Sequence, residues 1–198
     1  MSVFWHFFKW LLGIAPPEVW TSPAERACLV RYARGKRCLV EVGVWHGGTS
    51  RELRAAMARD GVLYAVDPYP PGRLGISLPR IVGRRELKQI PNGRVEWIRE
   101  VGSEAATSGT MREAAPFDFV FVDAAQTYEL LESEWQAWAP LVASEGIIAL
   151  HDSLHCQDAT TPEQTSVAYA REVIFPDPRF ALIDRAETLA VLKRRATP

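Results

Sequence analysis

The hydrophobic pattern of this chain alternates between short unbroken apolar runs and longer stretches with helical spacing. The runs fall at 38–42, 62–66, 94–99, 118–123 and 146–151. Short apolar runs bounded by turn residues mark strands buried on both faces, the kind found in parallel sheets. DFVFVD (118–123) is the clearest of them and RVEWIRE (94–100) the least apolar. Between the runs lie helical signals. Ser22-Pro23-x-Glu25 opens a helix running to about Arg34, with Gly35 as its stop. Thr49 and Glu52 have the spacing of a capping box, with Leu53, Ala56 and Met57 on one face behind them. Leu131, Trp135 and Trp138 form a stripe over 128–139 before Pro140, and Thr161-Pro162-Glu163 opens a further helix carrying Val167, Ala170 and Ile174. The tail differs: RFALID (179–184) and TLAVLKR (188–194) are too close for a crossover and predict an antiparallel hairpin. Alternating β/α units followed by a hairpin predict an α/β fold.

At 198 residues the chain is long enough for one domain with a full core. A net charge of −1 and a pI near 6.4 give no electrostatic case for nucleic acid. Cys28, Cys38 and Cys156 are odd in number and lack zinc or redox spacing, which predicts reduced thiols and a cytoplasmic setting. No run approaches the roughly 20 apolar residues of a membrane span. The segment 1–21 stands apart because Val3 to Ile14 (VFWHFFKWLLGI) is densely aromatic. It lacks the basic start and small-residue cleavage site of a signal peptide. It is expected to pack onto the body or to form a homodimer contact. Lys9 and His6 make a poor basic face for a membrane-surface anchor.

The chemistry concentrates at the ends of the first two runs. LVEVGVWHGGT (39–49) is a strand closing on an acid, then a glycine turn, then helix; VLYAVD (62–67) is a second strand ending on an acid. Gly43 lets the chain bend, and Gly47 and Gly48 would let backbone approach a ligand. An acid ending the second strand of a nucleotide-binding fold accepts hydrogen bonds from ribose hydroxyls. Together these features point to an adenosine-containing ligand. The spacing Glu41-x-Gly43-x-x-x-Gly47-Gly48 departs from the dinucleotide G-x-G-x-x-G, and no Tyr-x-x-x-Lys pair is present. An NAD-linked oxidoreductase is therefore the weaker alternative. A carboxylate before the turn would repel a pyrophosphate and attract an ammonium group.

That arrangement resembles motif I of the class I S-adenosylmethionine (SAM) methyltransferases. The resemblance covers about residues 22–195 and implies a three-layer αβα, Rossmann-like, seven-stranded sheet, mostly parallel with a C-terminal antiparallel hairpin. It implies cofactor contacts at Glu41, Gly43, Trp45, Gly47 and Thr49 around the methionine part of SAM. Asp67 would serve the ribose, Ser103 the adenine edge, and Asp123 the same pocket. Segment 68–93, with the string DPYPPGRLGISLPRI, resembles a small bacterial branch related to the sugar O-methyltransferases of macrolide biosynthesis. Its length, and Arg73, Arg80, Arg84, Arg85 and Lys88 against the lone acid Glu86, fit either a solvated helix carrying Leu78, Ile81, Val82, Leu87 and Ile90, or a lid receiving an anionic acceptor.

Related enzymes hold Mg2+ or Mn2+ with acids ending strands 4 and 5, which the resemblance maps to Asp123 and Asp152. His151, Asp152 and His155 add candidates for a base, since imidazole titrates near neutrality. Asp123, His151 and Asp152 are thus the expected catalytic set. One departure bears on this: where the branch reads Asp-Gly-Asp-His-Ser-Tyr, the chain reads Asp123-Ala124-Ala125-Gln126-Thr127-Tyr128. Gln126 cannot take a proton at neutral pH. The expected activity is methyl transfer to a small-molecule oxygen; a SAM-binding protein without turnover is the alternative that Ala125-Gln126 motivates.

Overall fold

The computed structural model describes residues 3–72, 75–154 and 165–196. Its centre is a seven-stranded sheet. The strands are β1 (Cys38–Val42), β2 (Val62–Val66), β3 (Arg94–Ile98), β4 (Phe117–Val122), β5 (Val142–Leu150), β6 (Phe180–Ala186) and β7 (Leu189–Arg194), in the spatial order β3-β2-β1-β4-β5-β7-β6. The first five pair in parallel, and β7 runs antiparallel between β5 and β6. Among the strands ending on the sheet's edges is β3, which explains why its sequence is the least apolar.

Helices cover both faces. On one lie α2 (Pro23–Ala33), α3 (Gly48–Ala56) and α4 (Leu78–Lys88), whose Leu29, Leu53 and Leu87 meet Leu39, Leu63 and Phe121. On the other lie α5 (Gly102–Thr107), α6 (Gly109–Ala114), α7 (Tyr128–Trp138) and α8 (Ser166–Tyr169), which continues into a π turn at Ala170–Ile174. There Trp135 and Trp138 pack with Val40, Val120 and Ile148. The proposed start of that last helix, at Thr161-Pro162-Glu163, and His155 and Arg73 lie outside the described residues. No helix among the described residues is long and apolar enough to cross a membrane.

Local chemistry accounts for most boundaries. The capping box at the start of α2 is complete, since Ser22 Oγ accepts from Glu25 N and Glu25 Oε2 accepts from Ser22 N at 2.7 Å. The second proposed box is not there. Gly47, left-handed at φ 72°, caps α3, which starts one residue early and puts Thr49 inside the helix, its hydroxyl 2.9 Å from that of Thr21. β5 begins earlier than its apolar run, because exposed Ser144 and Glu145, the latter at φ 62°, interrupt the pattern near a register shift against β4.

The aromatic segment forms α1 (Val3–Leu11) and packs within its own chain against α4. Trp10 Nε1 donates to Glu86 Oε1 at 2.8 Å, and Arg85 stacks its guanidinium over the Trp10 ring. Residues 68–93 are accordingly built as a layer helix, α4, which turns Val82 and Leu87 into the core. Arg84 lies over the Trp97 ring, and none of Arg80, Arg84, Arg85 and Lys88 lines the main cleft. The lid expectation fails because the apolar side of this helix is taken up by the sheet.

Candidate active site

The parallel strands end along one line, and each hands its hydrogen bonding one residue further. Asp67 N donates to Ile98 O, Gly43 N to Val66 O, Asp123 N to Val42 O and His151 N to Val122 O, at 2.8–3.0 Å. This places Asp67, Gly43, Asp123 and His151 side by side on the carboxyl edge. The strand order reverses between β1 and β4, and at such a switch point the flanking loops diverge and leave a crevice. A cleft of ≈ 1220 Å³ opens there, lined by Gly43, Trp45, Asp67, Asp123, His151 and Asp152 among others. Gly43 has φ 91°, and a Cβ on it would come within 2.7 Å of the Asp123 carbonyl oxygen, so only glycine fits where β1 passes β4.

Gly47 and Gly48 serve packing instead of ligand approach. A Cβ on Gly47 would meet Leu87 Cδ1 at 2.8 Å, and one on Gly48 would meet Val19 Cγ2 at 2.3 Å. The segment after α1 therefore straps across the turn. Glu18 ties it down: Trp45 Nε1 donates to Glu18 Oε2, Glu18 N donates to His46 Nδ1, and His6 Nδ1 lies 3.3 Å from Glu18 Oε1. Burial holds the His46 imidazole down at about 4, so its Nδ1 stays an acceptor at neutral pH. The strap then supplies Trp20, Thr21 and Ser22 to the cleft wall.

Two acids of the cofactor end have opposite surroundings. Asp67 Oδ2 accepts from the backbone of Val44 and Trp45, and Oδ1 accepts from Tyr69 N, at 2.8–3.0 Å. Three of about four lone-pair positions are in use, and one is left for a ligand hydroxyl. Glu41 is 1 % exposed, faces α3, and its Oε2 has no partner among the described residues. Burial pushes its carboxyl well above the usual range, against a downward pull from Ser50, and repulsion from Asp123 and Asp67 adds to the rise. Three of the four buried side-chain atoms without a partner belong to Glu41, His46 and Ser50, around this one turn. Ser103 is not in the cleft wall: its N–H donates to Glu134 Oε1, and neighbouring Gly102 lines the cleft instead.

At the other end His151 is the hub. Its Nδ1 lies 2.8 Å from Asp123 Oδ1 and 3.4 Å from Asp152 Oδ2, and its Nε2 lies 3.3 Å from Glu25 Oε2. Burial alone would lower its pKa, but the three carboxylates outweigh this and raise it to about 10. Glu25 is held down at about 2: burial is opposed by His151, by the Thr188 hydroxyl at 2.6 Å and by the Ser22 N–H. Asp123 is pushed up by burial against the pull of His151. Glu25 and Thr188 escaped the sequence-based expectations, because Glu25 already had a local role as a cap and Thr188 has no periodic signal. Non-glycine residues with positive φ gather here too, with Trp45, Asp152 and Glu187 in the cleft wall. Such strained positions concentrate at functional sites.

The proposed metal pair is brought together, but not in a form that suits a divalent ion. His151 Nδ1, cationic at neutral pH, lies between Asp123 and Asp152, and no group of three or more His, Cys, Asp or Glu able to hold a metal occurs among the described residues. SAM fits better, because the cleft has a Cβ-free floor at Gly43, an orphaned carboxylate beside it and spare acceptor capacity on Asp67.

Residues 40–153, more than half of the chain, match the family model described as a methyltransferase domain. No curated protein matches the chain by sequence. The fold is similar to that of an O-methyltransferase from Bacillus cereus, solved in complex with SAH, at 16 % identity and TM-score 0.68, covering 95 % of this chain and 87 % of that one. It is also similar to TomG from Streptomyces achromogenes, an O-methyltransferase of tomaymycin synthesis solved with SAM, at 17 % identity and TM-score 0.65, covering 96 % and 87 %. MycE, a methyltransferase of mycinamycin biosynthesis solved with Mg, SAH and mycinamycin VI, aligns at 16 % identity and TM-score 0.59, over 89 % of this chain and 49 % of that one.

Proposed function

The chain belongs to the methyltransferase-domain family and carries the fold of the SAM-dependent methyltransferases, and we propose that it moves a methyl group from SAM to a hydroxyl oxygen of a small-molecule acceptor. The observation that carries this is the orphaned carboxylate of Glu41 beside the Cβ-free floor at Gly43. A buried unpaired carboxylate costs stability until a cation meets it, and the ammonium of SAM is such a cation. Asp67 holds the ribose with its remaining lone pair. When bound, SAM supplies a methyl group on a positively charged sulfur, ready for in-line displacement by an oxygen.

The chain's own residues then align the acceptor and take its proton. His151 is already protonated and is not the base. It fixes Asp123 and Asp152 and balances their charge. Asp123, whose carboxyl burial has raised toward neutrality, receives the proton at its carboxylate. No step is routed through a metal, since His151 takes the place between the acids. The cleft wall has no Lys or Arg among the described residues. A neutral or cationic acceptor therefore fits it better than a carboxylate or phosphate.

The test is calorimetry with SAH, followed by a screen of hydroxyl-bearing small molecules with methyl-labelled SAM. SAH binding at micromolar strength and labelled product are expected. Absence of SAH binding overturns the assignment. Binding without turnover on any acceptor would favour the non-catalytic alternative that Ala125-Gln126 motivates.

A further inference from the structure

Helix α1 is amphipathic the wrong way round for a helix on a protein surface. Its inward face carries His6 and Trp10, at 6 % and 8 % exposure, and both make polar contacts with the body. Its outward side, with the turn that follows, exposes Phe4, Trp5, Phe8, Leu11, Leu12 and Ile14, from 38 % at Phe8 to 70 % at Leu12. Phe4 and Phe8 stack edge-on at 4.7 Å, so this side is a continuous aromatic ridge. Ridges of this size mark contact with a protein or a membrane.

Charge decides between the two. Lys9 of α1 is exposed, and α4, packed against α1, exposes Arg85 and Lys88. The acid on this helix, Glu86, is buried and engaged by Trp10 and Arg51. No acidic residue occurs before Glu18. A twofold contact through α1 would therefore set the same basic residues of two copies near one another, with no acid on this face to pair them. An anionic surface supplies the missing charge.

We propose that α1 and the basic edge of α4 form a docking face for an anionic lipid bilayer. The aromatic ridge enters the headgroup boundary, and Arg85 and Lys88 meet lipid phosphates alongside it. Sequence alone disfavours this, because α1 by itself has little positive charge; the fold adds the charge by laying α4 beside it.

Flotation of the full chain with vesicles tests it. Vesicles of phosphatidylcholine mixed with phosphatidylglycerol should bind at least tenfold more protein at low salt than vesicles of phosphatidylcholine alone. A Trp5→Ser, Phe8→Ser double variant should lose binding to both. An Arg85→Gln, Lys88→Gln variant should bind the anionic vesicles roughly thirtyfold more weakly, from about one charge-contact's worth of energy per residue. Unchanged urea midpoints establish that both variants fold. Equal flotation with both lipids, or none with either, overturns the proposal. So does light scattering that finds a dimer which Trp5→Ser, Phe8→Ser turns into monomer, since the ridge would then be covered by a second copy. The readout is binding, so it stands apart from any failure to find an acceptor.

Discussion

Glu41 and Glu25 are 1 % and 2 % exposed and stand at opposite ends of the same cleft, yet only one of them is finished. Glu25 is satisfied from three directions, by His151, Thr188 and Ser22, and it ionises readily. Glu41 keeps an oxygen without a partner and holds its proton. The acceptor end is thus complete in the chain alone, while the cofactor end awaits a cation from outside. Binding energy is reserved for the end where the ligand supplies a charge; rigidity is built into the end where geometry must be kept.

Removing the hub should have the largest effect. His151→Asn leaves Glu25, Asp123 and Asp152 without their cation, and loss of one partner from a buried ionic group costs about 3–5 kcal/mol. Urea denaturation should show it, and a midpoint within error of the parent would mean the cluster is well solvated. Asp67→Ala should cost about 1.5–3 kcal/mol, because three backbone N–H groups lose a charged acceptor, and SAH affinity should fall with it. Glu41→Gln sharpens the contrast by acting in opposite directions. It should stabilise the ligand-free chain by about 1–3 kcal/mol while weakening SAH binding tenfold or more. Calorimetry with unchanged SAH affinity would detach Glu41 from the cofactor.

Smaller effects come from pH. His151 rises from 6.5 to about 10 on folding, so its contribution to stability is complete below 6.5 and disappears as pH climbs through 10. Glu25 falls from 4.5 to about 2, so its contribution is complete above 4.5 and disappears as pH drops through 2. Thermal midpoints should be highest between about 4.5 and 6.5 and decline steadily on the alkaline side. In His151→Asn the alkaline decline should vanish. The smallest expected change is none: excess EDTA should leave methyl transfer intact, and full inhibition restored by Mg2+ would place a metal between Asp123 and Asp152 after all.

The strands were legible because parallel strands buried on both faces leave unbroken apolar runs; β1 and β2 end where those runs end, and Asp67 and Asp123 follow directly. β5 was read short because Ser144 and Glu145 point outward at an irregular point in the ladder. The glycines announced a turn without saying what lay against it. Absence of a Cβ signals an excluded volume, and only the fold reveals that Val19 and Leu87 fill it at Gly48 and Gly47. Glu25 was hidden for a related reason. A residue with one sufficient local role carries no mark of a second partner far along the chain. α4 misled in the other direction, since its basic residues suggested a lid while its apolar side committed it to the sheet.

The bond from Thr188 to Glu25 spans 163 positions. During synthesis at about 5–20 residues per second, Glu25 leaves the ribosome roughly 10–30 s before its partner is made. The capping box can form at once, so α2 has its carboxylate in place and turned toward a wall that does not yet exist. The cleft closes only when the β6–β7 hairpin arrives and delivers Thr188. A nascent chain that lacks the hairpin presents an open, negatively charged edge, and the site is the last part of the molecule to be assembled.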